Sequence, residues 1–200
     1  MRRTIELSVL SFILAFMIGI VAAACRVSPV PPLRWASATY IELVRNTPLL
    51  VLMFLMVFGL PSAGFTFSFY ASAIIVLSVY TGTFVAETVR SGVNSVAKGQ
   101  GEAARAVGLT FPQTLRLVVL PQALRTVVGP LGGIFIALLK NSGLAVVINV
   151  PELTAAANEV GTNTARFIPA FLGASVAYLM LTVPSGFFVT WLEHKVAIKR

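Results

Sequence analysis

Charged residues are scarce in this sequence, and aspartate is absent altogether. Only 11% of the 200 residues are charged, and 57% are hydrophobic. A soluble domain carries about a quarter charged residues, so this composition excludes one and indicates an integral membrane protein. A helix needs about 20 residues to cross the hydrocarbon core, so the length allows about five or six of them. We therefore expect a single membrane domain over residues 1–200.

Residue types that serve catalysis or metal binding are equally scarce. Cys25 is the single cysteine and His194 the single histidine, so we expect neither an intrachain disulfide nor a metal cluster. No GxxxxGK[ST] phosphate loop occurs, and without aspartate there is no acidic partner for Mg²⁺ of the kind ATPases use. We therefore expect no catalytic residue, cofactor or metal in this chain.

Five hydrophobic segments are predicted to be transmembrane helices, which makes the fold class all-α. They cover residues 5–24, 36–60, 70–90, 115–139 and 167–192. Asn46-Thr47-Pro48 should kink the helix of the second segment or restart it, because proline removes a backbone donor. Pro121, Pro130 and the neighbouring glycines should interrupt the fourth, and residues 151–166 are predicted to form a polar loop.

The net charge is +8, and the basic residues cluster near the ends of the predicted spans. Cytoplasmic loops of membrane proteins are rich in lysine and arginine, so nucleic-acid binding is not expected. One arrangement places eleven basic residues inside: Arg26, Arg34, Arg45, Arg90, Lys98, Arg105, Arg116, Arg125, Lys195, Lys199 and Arg200. Only Arg2, Arg3, Lys140 and Arg166 then lie outside. This predicts an external N-terminus and a cytoplasmic C-terminus, although Arg2 and Arg3 argue against it.

A polar stretch interrupts this apolar chain at residues 98–121, which read KGQGEAARAVGLTFPQTLRLVVLP. Good helix formers follow Glu102, and Gly108 and Pro112 oppose further helix. The stretch predicts a short exposed helix, over about 99–112, in a loop between two spans. Such a helix needs a partner to pack against, and the ordinary alternative is a solvated loop helix.

This stretch resembles the EAA signature of bacterial ABC-importer permeases, with valine replacing isoleucine at one position. The matching residues are Glu102, Ala103, Ala104, Gly108, Val118, Leu120 and Pro121. Residues 42–50, 86–100 and 138–154 resemble the polar amino acid branch of that family, so the likeness is nearly full length. The chain departs from the family's common residues at Leu52, Ala97, Gly101 and Asn141-Ser142-Gly143.

The resemblance implies a type I importer permease in the bacterial inner membrane, carrying glutamate, glutamine or basic amino acids. It implies a second permease subunit, identical or different, and two ABC ATPase subunits that bind ATP and Mg²⁺. A periplasmic or lipid-anchored binding protein would deliver the substrate, and membrane lipid would surround the spans. The signature would form a cytoplasmic coupling helix that contacts the ATPase through Gly99, Glu102, Ala103, Ala104, Arg105, Gly108, Leu120 and Pro121.

Polar residues within or beside spans are costly, which makes them candidates for the translocation pathway. They are Arg45, Asn46, Thr47, Glu87, Arg90, Lys140, Asn141 and Ser142. Each group has an ordinary alternative that stays open. Arg45 would anchor a helix end, Glu87 and Arg90 would form an ion pair within one helix, and Lys140 would extend to the lipid headgroups.

A self-sufficient secondary transporter is the main alternative function. It would need an inverted repeat and carboxylates deep within the spans to couple ions. No repeat stands out, and Glu87 is the one carboxylate near such a position. A membrane enzyme would need a nucleophile and base, for which the sequence offers no arrangement.

Overall fold

The computed structural model of the chain describes residues 1–196, apart from the side chain of Pro112. Within that range the secondary structure is entirely helical, so the all-α prediction is confirmed. The α-helices are α1 (Arg2–Arg26), α2 (Pro31–Arg45), α3 (Leu49–Phe54), α4 (Phe69–Asn94), α5 (Lys98–Ala106), α6 (Phe111–Thr114), α7 (Leu120–Asn141), α8 (Leu153–Thr164) and α9 (Phe167–Val196). Lys199 and Arg200, which enter the topology prediction, lie outside the described residues.

Helices α1 and α4 pack side by side and run in the same direction. Leu7 shares a core cluster with Ala73 and Leu77, whereas Ala22 shares one with Ala86. Between them Gly19 lies so close to α4 that a Cβ there would be 2.5 Å from Val85 Cγ1. Small residues allow this approach, as they do in many membrane helix pairs. Because the two helices are parallel, the chain between them must return across the bundle.

The returning segment, predicted as a span over 36–60 interrupted at Pro48, is not one continuous helix. After α2 the chain breaks at residues 46–48, and Pro31–Arg45 meets Leu49–Ala63 at 102°. Beyond α3 the chain continues as a π turn at Leu55–Gly59 and then as a 3₁₀ turn at Leu60–Ala63. The segment from Leu49 makes the return, since Leu49, Met53 and Met56 pack in the cluster of Leu7. The helix therefore restarts at Leu49 after a right-angled corner, which is one of the two outcomes predicted for Pro48.

The remaining spans alternate in direction. A Cβ on Gly92 of α4 would touch Val127 of α7, whereas Tyr80 and Asn141 of the same helices border one cavity, so α4 and α7 are antiparallel. Gly132 lies against Val189 of α9 and Gly129 against Glu193, so α7 and α9 are antiparallel too. Four helical segments of the described chain are long and apolar enough to cross a membrane, and the bent segment from Pro31 to Ala63 is the candidate for a fifth pass. Helix α5 and the last turn of α9 lie at one end, hereafter the α5 end, and Arg2 lies at the other, the α8 end.

Two predictions of non-helical structure were wrong, one in the fourth span and one in the segment after it. The fourth span is not interrupted: a π turn at Leu115–Val119 leads into α7, which continues through Pro130 to Asn141. Residues 151–166 were predicted to be a loop, yet most of them form α8. A 3₁₀ turn at Ser142–Ile148 connects α7 to this helix. Helix α8 packs mainly against α9.

Candidate functional site

Helix α5 stands apart from the bundle and shows most of its surface. Of its residues, Ala104 alone is buried, at 6% exposure. The predicted contact residues Gly99, Glu102, Ala103 and Arg105 are all exposed. Helix α5 packs on α6 and on the Leu115–Val119 turn. A helix presented in this way has its free face available to another protein.

The predicted coupling helix over 99–112 is shorter in the structure, because it ends at Ala106. Gly108 has a left-handed backbone, with φ +89°. Its N–H donates to the Arg105 carbonyl at 3.0 Å, and the Leu109 N–H donates to the Ala104 carbonyl at 3.1 Å. These two bonds form a Schellman motif, which satisfies the last carbonyls of the helix. The glycine therefore gives α5 a fixed end.

A second cap turns the chain towards α7. The Thr110 N–H and Oγ1 both donate to Gln113 Oε1 at 2.9 Å, as in a capping box. Leu120 and Pro121, predicted with the coupling residues, lie beyond α6 and the π turn, in the first turn of α7. The predicted set therefore divides into an exposed helix and the start of the following span.

Two apolar side chains beside α5 were missed by the sequence reasoning. Val107 is 79% exposed and Phe111 is 72% exposed, on either side of Gly108. Two large apolar residues within a polar stretch were the signal in the sequence that could have indicated an exposed apolar surface here. Large apolar side chains that cluster on a surface commonly mark an interaction site.

The charged residues predicted in the third span form an ion pair at the α5 end. Arg90 Nη2 lies 2.7 Å from Glu87 Oε2, and the two side chains are 36% and 24% exposed. Arg26 and Arg45 are near enough for their charges to act on the Glu87 carboxylate. The structure thus forms the ion pair within one helix that was the ordinary alternative for Glu87 and Arg90.

The side chains of Asn46 and Thr47 donate hydrogen bonds to backbone carbonyls in the last turn of α2. Asn46 Nδ2 donates to the Glu42 carbonyl at 2.7 Å, and Thr47 Oγ1 donates to the Leu43 carbonyl at 2.7 Å. Both donors are therefore used at the C-terminus of the helix, where any helix leaves carbonyls without a partner within the helix. This geometry favours the structural interpretation for these two residues.

Lys140, Asn141 and Ser142 diverge at the α8 end. Exposed Lys140 borders a cavity of about 390 Å³ that Ser175, Tyr178 and Thr182 of α9 also line. Asn141 borders a separate cavity of about 120 Å³ against α4. Ser142 is fully buried and donates to the Leu139 carbonyl at 2.7 Å. Of the three, Lys140 alone reaches the larger cavity.

A buried carboxylate next to this cavity also escaped the sequence reasoning. Glu152 is 4% exposed and caps α8, accepting from the N–H groups of Thr154 at 2.8 Å and Ala155 at 2.7 Å. Tyr178 Oη donates to its Oε2 at 2.9 Å and lies 3.0 Å from Thr154 Oγ1. The signal was a Pro-Glu pair before a run of helix formers, whereas serine, threonine, aspartate and asparagine are the usual caps.

Comparison with known proteins assigns the chain to a family. A family model described as "Binding-protein-dependent transport system inner membrane component" matches residues 15–198. The chain belongs to this family. It is therefore a multi-pass component of the inner membrane, and the resemblance noted from the EAA-type signature is confirmed.

Full-length relatives support this membership. The chain is 36% identical over 193 residues to the probable glutamine ABC transporter permease GlnM of Bacillus subtilis strain 168, covering 96% of this chain and 89% of the relative. It is 39% identical over 210 residues to the glutamate transport system permease GluC of Corynebacterium glutamicum, covering 98% and 92%.

Solved structures share the fold of this family member. A chain of a crystallised amino acid ABC transporter with histidines superposes with a TM-score of 0.92 at 30% identity, over 96% of this chain and 90% of that one. A chain of the inward-facing MetNI methionine transporter superposes with a TM-score of 0.82 at 22% identity, which bears on the fold alone.

Proposed function

We propose that this chain is the permease subunit of an ATP-driven ABC importer for polar amino acids of the glutamate, glutamine or basic type. Relatives named for glutamine, glutamate and arginine transport support this substrate class. The observation that carries the proposal is α5, an exposed and rigidly capped helix between two spans. The chain acts as one membrane domain and hydrolyses no ATP; ATP and Mg²⁺ bind to the ATPase partners.

Coupling would proceed from α5 into the bundle. An ATPase subunit binds the exposed face formed by Glu102, Ala103 and Arg105, and Val107 and Phe111 lie at the rim of the contact. Ala104 transmits the movement, because it is the buried residue of α5 and the helix packs on the Leu115–Val119 turn. This turn leads directly into α7, so α5 and α7 move together and the bundle alternates between its two openings.

A second permease chain, identical or different, would complete the pathway. Helix α9 supports this, because Ala174 is its single buried residue between Phe167 and Val196. A binding protein, periplasmic or lipid-anchored, would deliver substrate at the α8 end. There exposed Lys140 is placed to attract the substrate carboxylate, since it is the basic residue among those that line the 390 Å³ cavity.

The α5 end is proposed to face the cytoplasm, which puts the N-terminus outside and the C-terminus inside. Single cysteines in a Cys25→Ser background test this orientation with a membrane-impermeant maleimide. Asn163→Cys on α8 should label in intact cells, after removal of the outer membrane where one exists. Gln100→Cys on α5 should label only after permeabilisation. Both positions are exposed, so the opposite pattern would reverse the orientation.

Uptake into proteoliposomes tests the function itself. The chain should accumulate a polar amino acid only with its ATPase, its binding protein and ATP, and an ATPase without its phosphate-loop lysine should abolish uptake. Family membership already speaks against a secondary transporter. Uptake driven by an ion gradient through the chain alone would nevertheless restore that alternative.

A further inference from the structure

Helix α2 lies across the bundle at the α5 end, and its three faces have different chemistry. The corner of 102° before Leu49 turns it away from the direction of the spans. With 3.6 residues per turn, Arg34, Ala38 and Arg45 share one face, and Trp35, Thr39 and Leu43 share another roughly 120° away. Ser37, Ile41 and Val44 share the third.

The third face packs on the protein. Ser37 Oγ donates to the Ala22 carbonyl at 2.7 Å, and Ile41, at 1% exposure, belongs to the cluster of Ala22 and Ala86. Tyr40, beside this face, donates to the Val79 carbonyl at 2.7 Å. These contacts hold α2 against the last turns of α1 at Ala22 and against α4 between Val79 and Ala86, one residue before the charged pair begins at Glu87.

The other two faces are both exposed but differ in polarity. Trp35 is 71% and Leu43 65% exposed, although both are large and apolar. Arg34 and Arg45 on the neighbouring face are exposed too, and they are charged. A helix that sorts its residues between protein, an apolar medium and water fits a position in the plane of a membrane surface.

Next to the apolar face, Ser37 and Tyr40 of α2 border an exposed apolar part of α1. Met17 and Val21, on a membrane span, are 60% and 63% exposed. They line an apolar cleft of about 440 Å³ whose other wall includes Ser37 and Tyr40 of α2. The hydroxyls of Ser37 and Tyr40 are engaged with backbone carbonyls, so the cleft suits acyl chains rather than water.

We propose that α2 is an interfacial helix that binds the membrane surface. Trp35 and Leu43 lie at the boundary between headgroups and acyl chains, where tryptophan is enriched. Arg34 and Arg45 contact the phosphates of anionic phospholipids. Lipid is the occupant because Tyr40, the neighbour of Thr39 in the chain, lines an apolar cleft with the exposed residues Met17 and Val21 of the span α1, whereas α5 is the site proposed for a protein partner.

Spin labels on neighbouring residues test the lipid contact in the assembled transporter. In the Cys25→Ser chain, Thr39→Cys and Ala38→Cys are labelled before assembly and reconstitution. The label at 39 should collide more often with oxygen, which dissolves in the bilayer, and the label at 38 with a water-soluble nickel chelate. Exclusion of both reagents at 39 would mean that protein covers this face, and chelate access at both positions would place α2 in water; either result overturns the proposal.

The arginines are tested by the lipid that stays bound to the purified complex. Arg34→Gln with Arg45→Gln should lower the retained ratio of phosphatidylglycerol to phosphatidylethanolamine by roughly half, measured by mass spectrometry. Lys98→Gln, a basic residue at the same end but on α5, should leave the ratio unchanged. An equal ratio in the double variant and the parent would refute the role of the arginines.

Discussion

The two ends of the bundle are built in opposite ways. At the α8 end, a buried carboxylate accepts three hydrogen bonds and joins α8 to α9. At the α5 end, a helix of nine residues buries one side chain and leaves Val107 and Phe111 exposed beside it. The first end is held together by hydrogen bonds within the chain, whereas the second lacks contacts that a partner would supply. Stability should therefore depend on the first end and coupled transport on the second.

Replacing Glu152 should have the largest effect on stability. Glu152→Ala removes the cap of α8 and leaves the Tyr178 hydroxyl and two backbone N–H groups without their acceptor. We expect the free energy of unfolding to fall by about 2–4 kcal/mol, measured by thermal unfolding in detergent. Glu159→Ala, on the exposed side of the same helix, should change it by less than about 0.5 kcal/mol. Equal effects would mean that the α8 end is not organised by its carboxylate.

Gly108→Ala should break the α5 end without harming the spans. An alanine Cβ meets nothing within 4 Å at position 108, so the cost comes from the backbone, where φ is +89°. A left-handed non-glycine residue costs about 1–2 kcal/mol, enough to displace the cap of α5. ATP-driven uptake and ATPase association should fall while membrane insertion is normal. Gly64→Ala, equally free of neighbours and with a similar φ of +87° but located before α4 at the other end, should retain both activities. Normal uptake by Gly108→Ala would contradict the docking role.

A pair of tyrosines isolates the hydrogen bonds of the α8 end. Tyr178→Phe removes the hydroxyl bonded to Glu152 and should cost about 1–2 kcal/mol of unfolding free energy. Tyr70 has a buried hydroxyl without a hydrogen-bond partner among residues 1–196, and its ring lies under Arg3 at 5.6 Å. Tyr70→Phe keeps this ring contact and should be neutral or slightly stabilising. A reversed order of the two variants would show that these hydroxyls are not what distinguishes the sites.

The positions of the long apolar helices could be predicted from the sequence better than the places where a helix breaks. Hydrophobic runs located the long apolar helices, because a helix that lies in lipid is apolar on all sides and so gives an unbroken run of apolar residues. Pro130 shows the limit: α7 continues through it, since neighbouring helices can support a helix that lacks one backbone bond. Pro48, in contrast, starts a new helix after a corner of 102°. Local sequence alone does not distinguish these outcomes, which depend on what packs alongside.

The candidate site was predictable in residue type and less so in arrangement. The spacing of Glu102 and Gly108 located α5 because the Schellman cap is local. Asn141 and Ser142 were grouped with Lys140 by sequence, yet a 3₁₀ turn begins at Ser142 and separates their side chains. Glu152 was unpredictable as a site because its importance arises from Tyr178, which lies in another helix.

The smallest expected effect concerns the ion pair of α4, which belongs to the less complete end. Glu87→Gln removes a partly exposed pair within one helix, so unfolding free energy should fall by no more than about 1 kcal/mol. Glu6→Gln provides the matched change at the α8 end, where Arg2 Nε lies 2.7 Å from Glu6 Oε1. Since Arg90 already satisfies Glu87 within α4, we expect uptake to be retained in both variants. Loss of uptake in Glu87→Gln alone, with ATPase association intact, would instead assign this carboxylate to the translocation pathway. Parallel measurements of uptake and association therefore separate the two interpretations of the charges at the α5 end.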